Sequence, residues 1–292
     1  MKHILHALFA LLLSTAAVQA QTEGTYELSV GPLSMTVDAA HGGKILSLKH
    51  GEDEVLSQSR WPESFGSTFW TSPQKEWNWP PVAEFDKQPY TVVAATEGYL
   101  HIQSNVAERL QLSVGKQFAV DAADTAIVIT YSIKNHATEP RQVAPWEITR
   151  VTNTDGSLIF FDADTAAIWP KGLLSFQQAH GLAWYQPDEA PQNRKVNADG
   201  KGWLAHLSKG LLMLKVFPDL DASQPAPGEA EIQVYVNQRK TYIELESQGA
   251  YTTLQPGGSL SWTVRWYLRP AAATDGKPSA ALARQVAALI TR

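Results

Sequence analysis

The sequence predicts an all-β protein, and three observations carry that prediction. Apolar and polar residues alternate with period two in many short segments, turn residues separate those segments at close intervals, and helical periodicity occurs only once, near the C-terminus. Many short strands without intervening helices form an antiparallel sandwich or barrel, not a parallel α/β sheet.

Each element follows from its pattern. In 127–135, Ile127, Ile129, Tyr131 and Ile133 share one apolar face, while the other face turns polar after Val128. In 259–268, Leu260, Trp262, Val264, Trp266 and Leu268 share a face, and Ser261, Thr263, Arg265 and Tyr267 share the other. Further strands are expected at 90–95, 100–104, 110–120, 210–217, 232–237 and 241–246, with turns at His41-Gly-Gly, Gly51, Asn153 to Gly156 and Pro256-Gly-Gly. Roughly 16 to 20 strands in all fit a single large β domain spanning 21–292. At 278–290, Leu282, Val286, Leu289 and Ile290 are spaced for one helical face, with Ser279 as the cap. That helix is expected to pack on the outside of a sheet. Residues 186–202 are the most loop-like stretch.

Composition excludes several function classes. The 292 residues include 10 Trp, 9 Tyr and 9 Phe, enough aromatic surface for a large core, and no Cys. Thiolate metal sites, disulfides and cysteine nucleophiles are therefore ruled out. A formal charge of −5 provides no positive field for a nucleic acid. There is no Gly-rich phosphate loop, no Gly-x-Ser-x-Gly elbow and no His-Glu-x-x-His, and the histidines are scattered singly, so neither a metal nor a cofactor is expected.

Residues 1–20 have the pattern of a secretory signal: Lys2, an apolar run from Ile4 to Leu13, and Val18-Gln19-Ala20 as the cleavage site. The run is too short to span a bilayer, and no later segment comes close. The expected location after cleavage following Ala20 is the periplasm, with no membrane span remaining.

Three segments carry possible chemistry. Residues 65–81 hold Trp70, Trp77 and Trp79 beside Gln74, Lys75, Glu76 and Asn78, and their prolines and glycine argue for a loop. Flat aromatic platforms next to amides and charges suit a sugar, which presents apolar C–H faces and hydroxyl edges. In 144–151, Trp146, Glu147 and Arg150 form a second cluster, where Glu147 and Arg150 fall on opposite faces of a regular strand. Pro145 points to an edge strand or a bulge there. In 241–249, Tyr242, Glu244 and Glu246 share one face, with the two carboxylates about 7 Å apart. Pattern alone makes that face either solvated or the polar floor of a concave sheet.

Leu245-Glu-Ser-Gln248, then Leu254-Gln-Pro-Gly-Gly258 and the final strand, resemble the C-terminal signature of the aldose 1-epimerases of the galactose-mutarotase superfamily. His41-Gly-Gly-Lys-Ile-Leu-Ser-Leu48 is similar to the superfamily's opening strand, and Ile129-Thr-Tyr-Ser-Ile-Lys-Asn135 to its central one, which ends in Tyr-x-Ile-x-Asn. The pieces occur in matching order over about 41–268. The stretches Gly-Ser-Thr-Phe-Trp-Thr-Ser-Pro-Gln, Trp-Asn-Trp-Pro-Pro and Ala-Pro-Trp-Glu-Ile-Thr-Arg look more narrowly like the bacterial domain of unknown function 4380. The resemblance implies a galactose-mutarotase-like antiparallel β-supersandwich whose concave face binds a pyranose. It also implies a Glu that deprotonates the anomeric hydroxyl while a His protonates the ring oxygen.

By motif the base is Glu246. Where an epimerase has that His, this chain has Pro145-Trp146-Glu147, which leaves Glu147 to act as the acid if burial keeps it protonated. The expected ligand is a small-molecule sugar or glycan, stacked on Trp70, Trp77, Trp79 and Trp146 and hydrogen-bonded by Gln74 and Arg150. The alternatives are a non-catalytic carbohydrate-binding protein and an envelope structural module. Carboxyl groups of Glu147 and Glu246 facing one cavity would favour catalysis, whereas opposite sides of the sheet would sink the pairing.

Overall fold

The computed structural model describes residues 24–59, 64–273 and 275–291; the signal segment lies outside them. Among the described residues, twenty strands form two antiparallel sheets of ten. Across the first sheet run Thr25–Val30, Leu33–Asp38, Lys44–His50, Ser67–Ser72, Arg141–Val151, Ile243–Gln248, Ile232–Val236 and Arg194–Ala198, with two short strands added at its margins. The second runs from Gln177–Ala179 through Leu182–Tyr185, Leu158–Phe161, Trp203–Ser208, Leu211–Val216, Ser259–Pro270, Ala126–Asn135, Leu112–Asp121 and Tyr99–Gln103 to Thr91–Thr96.

Period two decides which side chains meet between the sheets. Ile127, Ile129, Tyr131 and Ile133 are buried, as are Trp262, Val264, Trp266 and Leu268 of the neighbouring strand. Phe69 of the first sheet stacks on Tyr131 of the second at 4.1 Å, and Tyr131 in turn stacks on Trp262 at 5.9 Å. Rings in offset or stacked contact at these distances add to the area that they bury.

The helix Ala280–Ile290 begins where expected, with the Ser279 side chain accepting from the Ala281 amide. Leu282, Val286 and Leu289 are buried while Ile290 is exposed. Tyr267 points away from the inter-sheet core yet is buried: the Arg265 and Arg269 guanidinium groups lie 6.0 and 5.6 Å from its ring, and Leu289 of the helix lines the same pocket. Among the described residues no helix is long and apolar enough to cross a membrane.

Residues 65–81 are not one loop: Ser67–Ser72 is a fully buried strand, and the irregular part begins at Pro73. A strand covered on both faces shows no alternation, so its pattern was silent. Arg141–Val151 is neither an edge strand nor bulged at Pro145, because it pairs in continuous register with Ser67–Ser72 on one side and Ile243–Gln248 on the other. The Pro145 carbonyl accepts from the Gly249 amide, so its missing N–H faces the same side, just past the last ladder pair between Trp146 and Gln248. Proline thus costs the ladder no donor there.

Candidate functional site

Register builds the site. Trp70 is opposite Trp146, and Trp146 is opposite Gln248. Ile148 faces Glu246 and Arg150 faces Glu244 across the next pairs, and Glu246 and Glu244 face Gln233 and Tyr235. Lys195 is opposite Tyr235 at the far strand. Directly opposed residues share a face, so all of these side chains stand on the outer face of the first sheet. Trp70, Trp146, Arg150, Lys195, Tyr235, Glu244 and Glu246 of this face, with Ser64, Gln74, Trp79 and Tyr242, line a cavity of about 240 Å³. That volume falls just below the ~300–1,000 Å³ usual for drug-sized ligands and suits a single small ring.

The wall of tryptophans is held from behind. Trp70 donates its indole N–H to Asp86 at 2.9 Å, and Asp86 is paired with Lys44 at 3.0 Å in the interior. Trp146 stands edge-on to Trp70, with ring centroids 5.5 Å apart. Trp79 also meets Trp70 edge-on, at 6.2 Å, and is 56% exposed at the rim. Gly66 opens the strand that carries Trp70 with φ +64°, where a Cβ would lie 2.4 Å from the Ile45 carbonyl oxygen. Only glycine fits that approach.

Two carboxylates form the floor. Glu246 is buried, and its Oε2 accepts from Trp146 Nε1 at 2.9 Å and from Lys195 Nζ at 2.8 Å. Its Oε1 has no hydrogen-bond partner among the described residues. Glu244 pairs with Arg150 Nε at 2.9 Å, and Arg150 also donates to the Phe65 carbonyl at 3.3 Å. Burial pushes the Glu244 carboxyl above its ordinary pKa, with Arg150 opposing and Glu246 adding to the rise. Burial also raises Tyr235 and Tyr242, so both hydroxyls keep their protons.

Of the residues proposed from sequence, Trp70, Gln74, Trp79, Trp146, Arg150 and Glu246 come together around this cavity. Trp77 does not line it. Its ring is buried behind Trp70 at 5.5 Å, with its N–H on the Thr71 carbonyl, so it supports the wall and has no face to offer a ligand. Glu147 is on the wrong face altogether. As alternation requires, it points between the sheets, where it is fully buried and paired with Lys215 at 2.6 Å. The Glu147–Glu246 pairing therefore fails, because the two side chains leave opposite sides of the sheet. Lys195 and Tyr235 are lining residues that sequence does not single out: Lys195 lies in the loop-like 186–202, and Tyr235 in an expected strand without a motif.

No histidine is among the described residues lining the cavity. His206 is fully buried elsewhere, in the second sheet, and desolvation lowers its pKa from 6.5 to about 3. Unfolded chains then bind a proton that the native state refuses between those values, so stability falls as pH drops through that window, by at most about 1.4 kcal/mol per pH unit. Urea midpoints at pH 6 and pH 4 are expected to converge in His206→Leu relative to wild type; an unchanged difference would assign the acid sensitivity to other groups.

The sequence matches no protein-family model and no curated protein. Solved structures do match. A protein from Escherichia coli K12, named as a candidate aldose 1-epimerase, superposes with a TM-score of 0.60 at 13% identity, over 84% of this chain and 98% of its own. A galactose mutarotase-like protein from Clostridium acetobutylicum gives 0.56 at 10% identity, over 84% and 95%. The fold is galactose mutarotase-like. The Slr1438 protein from Synechocystis shares the architecture with a TM-score of 0.61 at 12% identity, over 90% of this chain and 100% of its own. Identities this low establish the galactose mutarotase-like architecture and leave the chemistry to the residues of the cavity.

Proposed function

We propose that the protein is a periplasmic carbohydrate-active enzyme that binds a pyranose in the cavity of the first sheet and interconverts its anomers. The observation that carries this reading is Glu246: a buried carboxylate in an aromatic-walled cavity, with one oxygen anchored by Trp146 and Lys195 and the other without a partner among the described residues. A base needs one oxygen fixed for orientation and one without a competing partner to take a proton. Glu246 takes the proton of the anomeric hydroxyl, the bond between the anomeric carbon and the ring oxygen breaks, and the ring oxygen takes a proton from an acid. The open aldehyde then rotates and recloses on its other face, returning both protons.

Lys195 supplies the acid. Arg150 cannot release a proton at any usable pH, and burial makes Tyr235 and Tyr242 hold theirs. Lys195 is a third exposed, beside Glu246 and over the Trp146 ring at 4.9 Å, where an ammonium can reach a ring oxygen. The narrower grouping with domain of unknown function 4380 rests on three stretches that all contribute residues to this wall. The periplasmic assignment rests on residues 1–20.

Polarimetry of freshly dissolved aldopyranoses tests the reading. Export to the periplasm predicts a mature protein that begins at Gln21. That protein is expected to accelerate anomer equilibration for at least one sugar of a panel of hexoses and pentoses. Binding without acceleration would favour the second reading, a non-catalytic carbohydrate-binding protein, which the lack of a histidine among the described residues lining the cavity supports. Neither acceleration nor binding would defeat both.

A further inference from the structure

We infer that the ligand is an oligosaccharide held by its reducing end, with the chain running from the cavity across the sheet to Trp169. This rests on the pyranose reading of the cavity and extends it. Trp169 forms an isolated antiparallel bridge with Asn197, each donating its amide to the other's carbonyl, at 3.0 Å and 2.6 Å. Such a mutually bonded pair shares a face.

Asn197 is opposite Gln233, and Gln233 is opposite Glu246. Trp169, Asn197, Gln233 and Glu246 thus form one cross-strand row on the cavity side of the sheet. Trp169 lies three strand spacings from Glu246, about 14 Å, which leaves room for roughly two rings beyond the one in the cavity.

The chemistry along that row suits a glycan. Gln233 is buried and donates to both Asn197 Oδ1, at 2.8 Å, and Glu229 Oε2, at 3.0 Å, so the partly exposed groups between the cavity and Trp169 are the Asn197 amide and the Glu229 carboxylate. Trp169 is 40% exposed, unusual for an indole that tertiary packing would ordinarily cover. An open indole at the end of an amide row is a stacking platform for a sugar face. Direction follows from the mechanism. Glu246 acts on a free anomeric hydroxyl, so the ring in the cavity is the reducing end and the remainder of the chain must extend outward.

Isothermal titration with three size series tests this: glucose to maltopentaose, glucose to cellopentaose, and N-acetylglucosamine to its β-1,4 pentamer. In at least one series, affinity is expected to rise from one ring to three and then level off. Trp169→Ala is expected to weaken the trimer by roughly three- to tenfold, the worth of one stacked ring, while leaving the monosaccharide unchanged. Reducing the trimer's terminal ring to the alditol is expected to weaken it as well. Monosaccharide binding with no gain on lengthening, or equal weakening of monomer and trimer by Trp169→Ala, would overturn the extended site and leave the pyranose reading intact. Absence of binding at every length would overturn both.

Discussion

Lys215→Met is expected to lower the folding free energy by about 3–5 kcal/mol, because it strands the Glu147 carboxylate between the two sheets. Lys215 and Glu147 are both fully buried and 2.6 Å apart, and Lys215 also donates to Thr149 Oγ1 at 3.1 Å and to the Leu245 carbonyl at 3.2 Å. Aromatic rings surround the pair: Phe69 shares Glu147's face one strand away, and the Trp266 ring lies 5.5 Å from Lys215 Nζ. No water replaces the lost ammonium in such packing without a further cavity. The double substitution Glu147→Leu with Lys215→Met is expected to recover most of the loss, since an apolar pair of similar volume removes both desolvation penalties together. Urea denaturation of the two single variants and the double variant measures the coupling. A loss below about 1 kcal/mol in Lys215→Met would mean that Glu147 finds another partner, and would reopen its role. Sugar binding by the folded double variant is expected to match wild type, because neither side chain faces the cavity.

Local pattern carried much of this architecture. Alternation alone separated Glu147 from Arg150 and grouped Tyr242, Glu244 and Glu246; register bears out the separation and the Glu244–Glu246 grouping, and Tyr242 lines the same cavity. What alternation could not tell was which face turns inward. Glu147 is charged and Trp146 is apolar, so local hydropathy favours the opposite arrangement; the inward side is decided by Lys215, a cation supplied from the other sheet. Ser67–Ser72 escaped notice for a related reason, since burial on both faces erases the period, and its flanking proline and glycine dominated the reading. Lys195 and Trp169 were illegible because their strand and bridge lie in stretches rich in turn formers, and only long-range pairing brings Lys195 beside Glu246 and Trp169 onto the same cross-strand row. The tryptophan-rich segment and the Leu-Glu-Ser-Gln stretch were legible because aromatic density and a motif need no tertiary partner.

Glu246→Gln is expected to reduce the rate of anomer interconversion by about 10²–10⁴-fold with little change in KM, the usual scale for loss of a positioned base. An amide fills the same space and still accepts from Trp146 Nε1, so the wall and its stacking surface remain. It cannot take the proton of the anomeric hydroxyl. Lys195→Met is expected to slow the reaction too, by removing the acid and the cation that anchors Glu246 Oε2 at 2.8 Å. The two substitutions act on one coupled pair, and the double variant is therefore expected to be little slower than the slower single one. Independent multiplicative losses would show that Lys195 acts apart from Glu246, with a hydroxyl or water as proton donor. If Glu246→Gln kept the wild-type rate while Lys195→Met lost it, the base would have to be sought at Glu244. That carboxyl is the other one in the cavity, and its pairing with Arg150 would then have to open on binding.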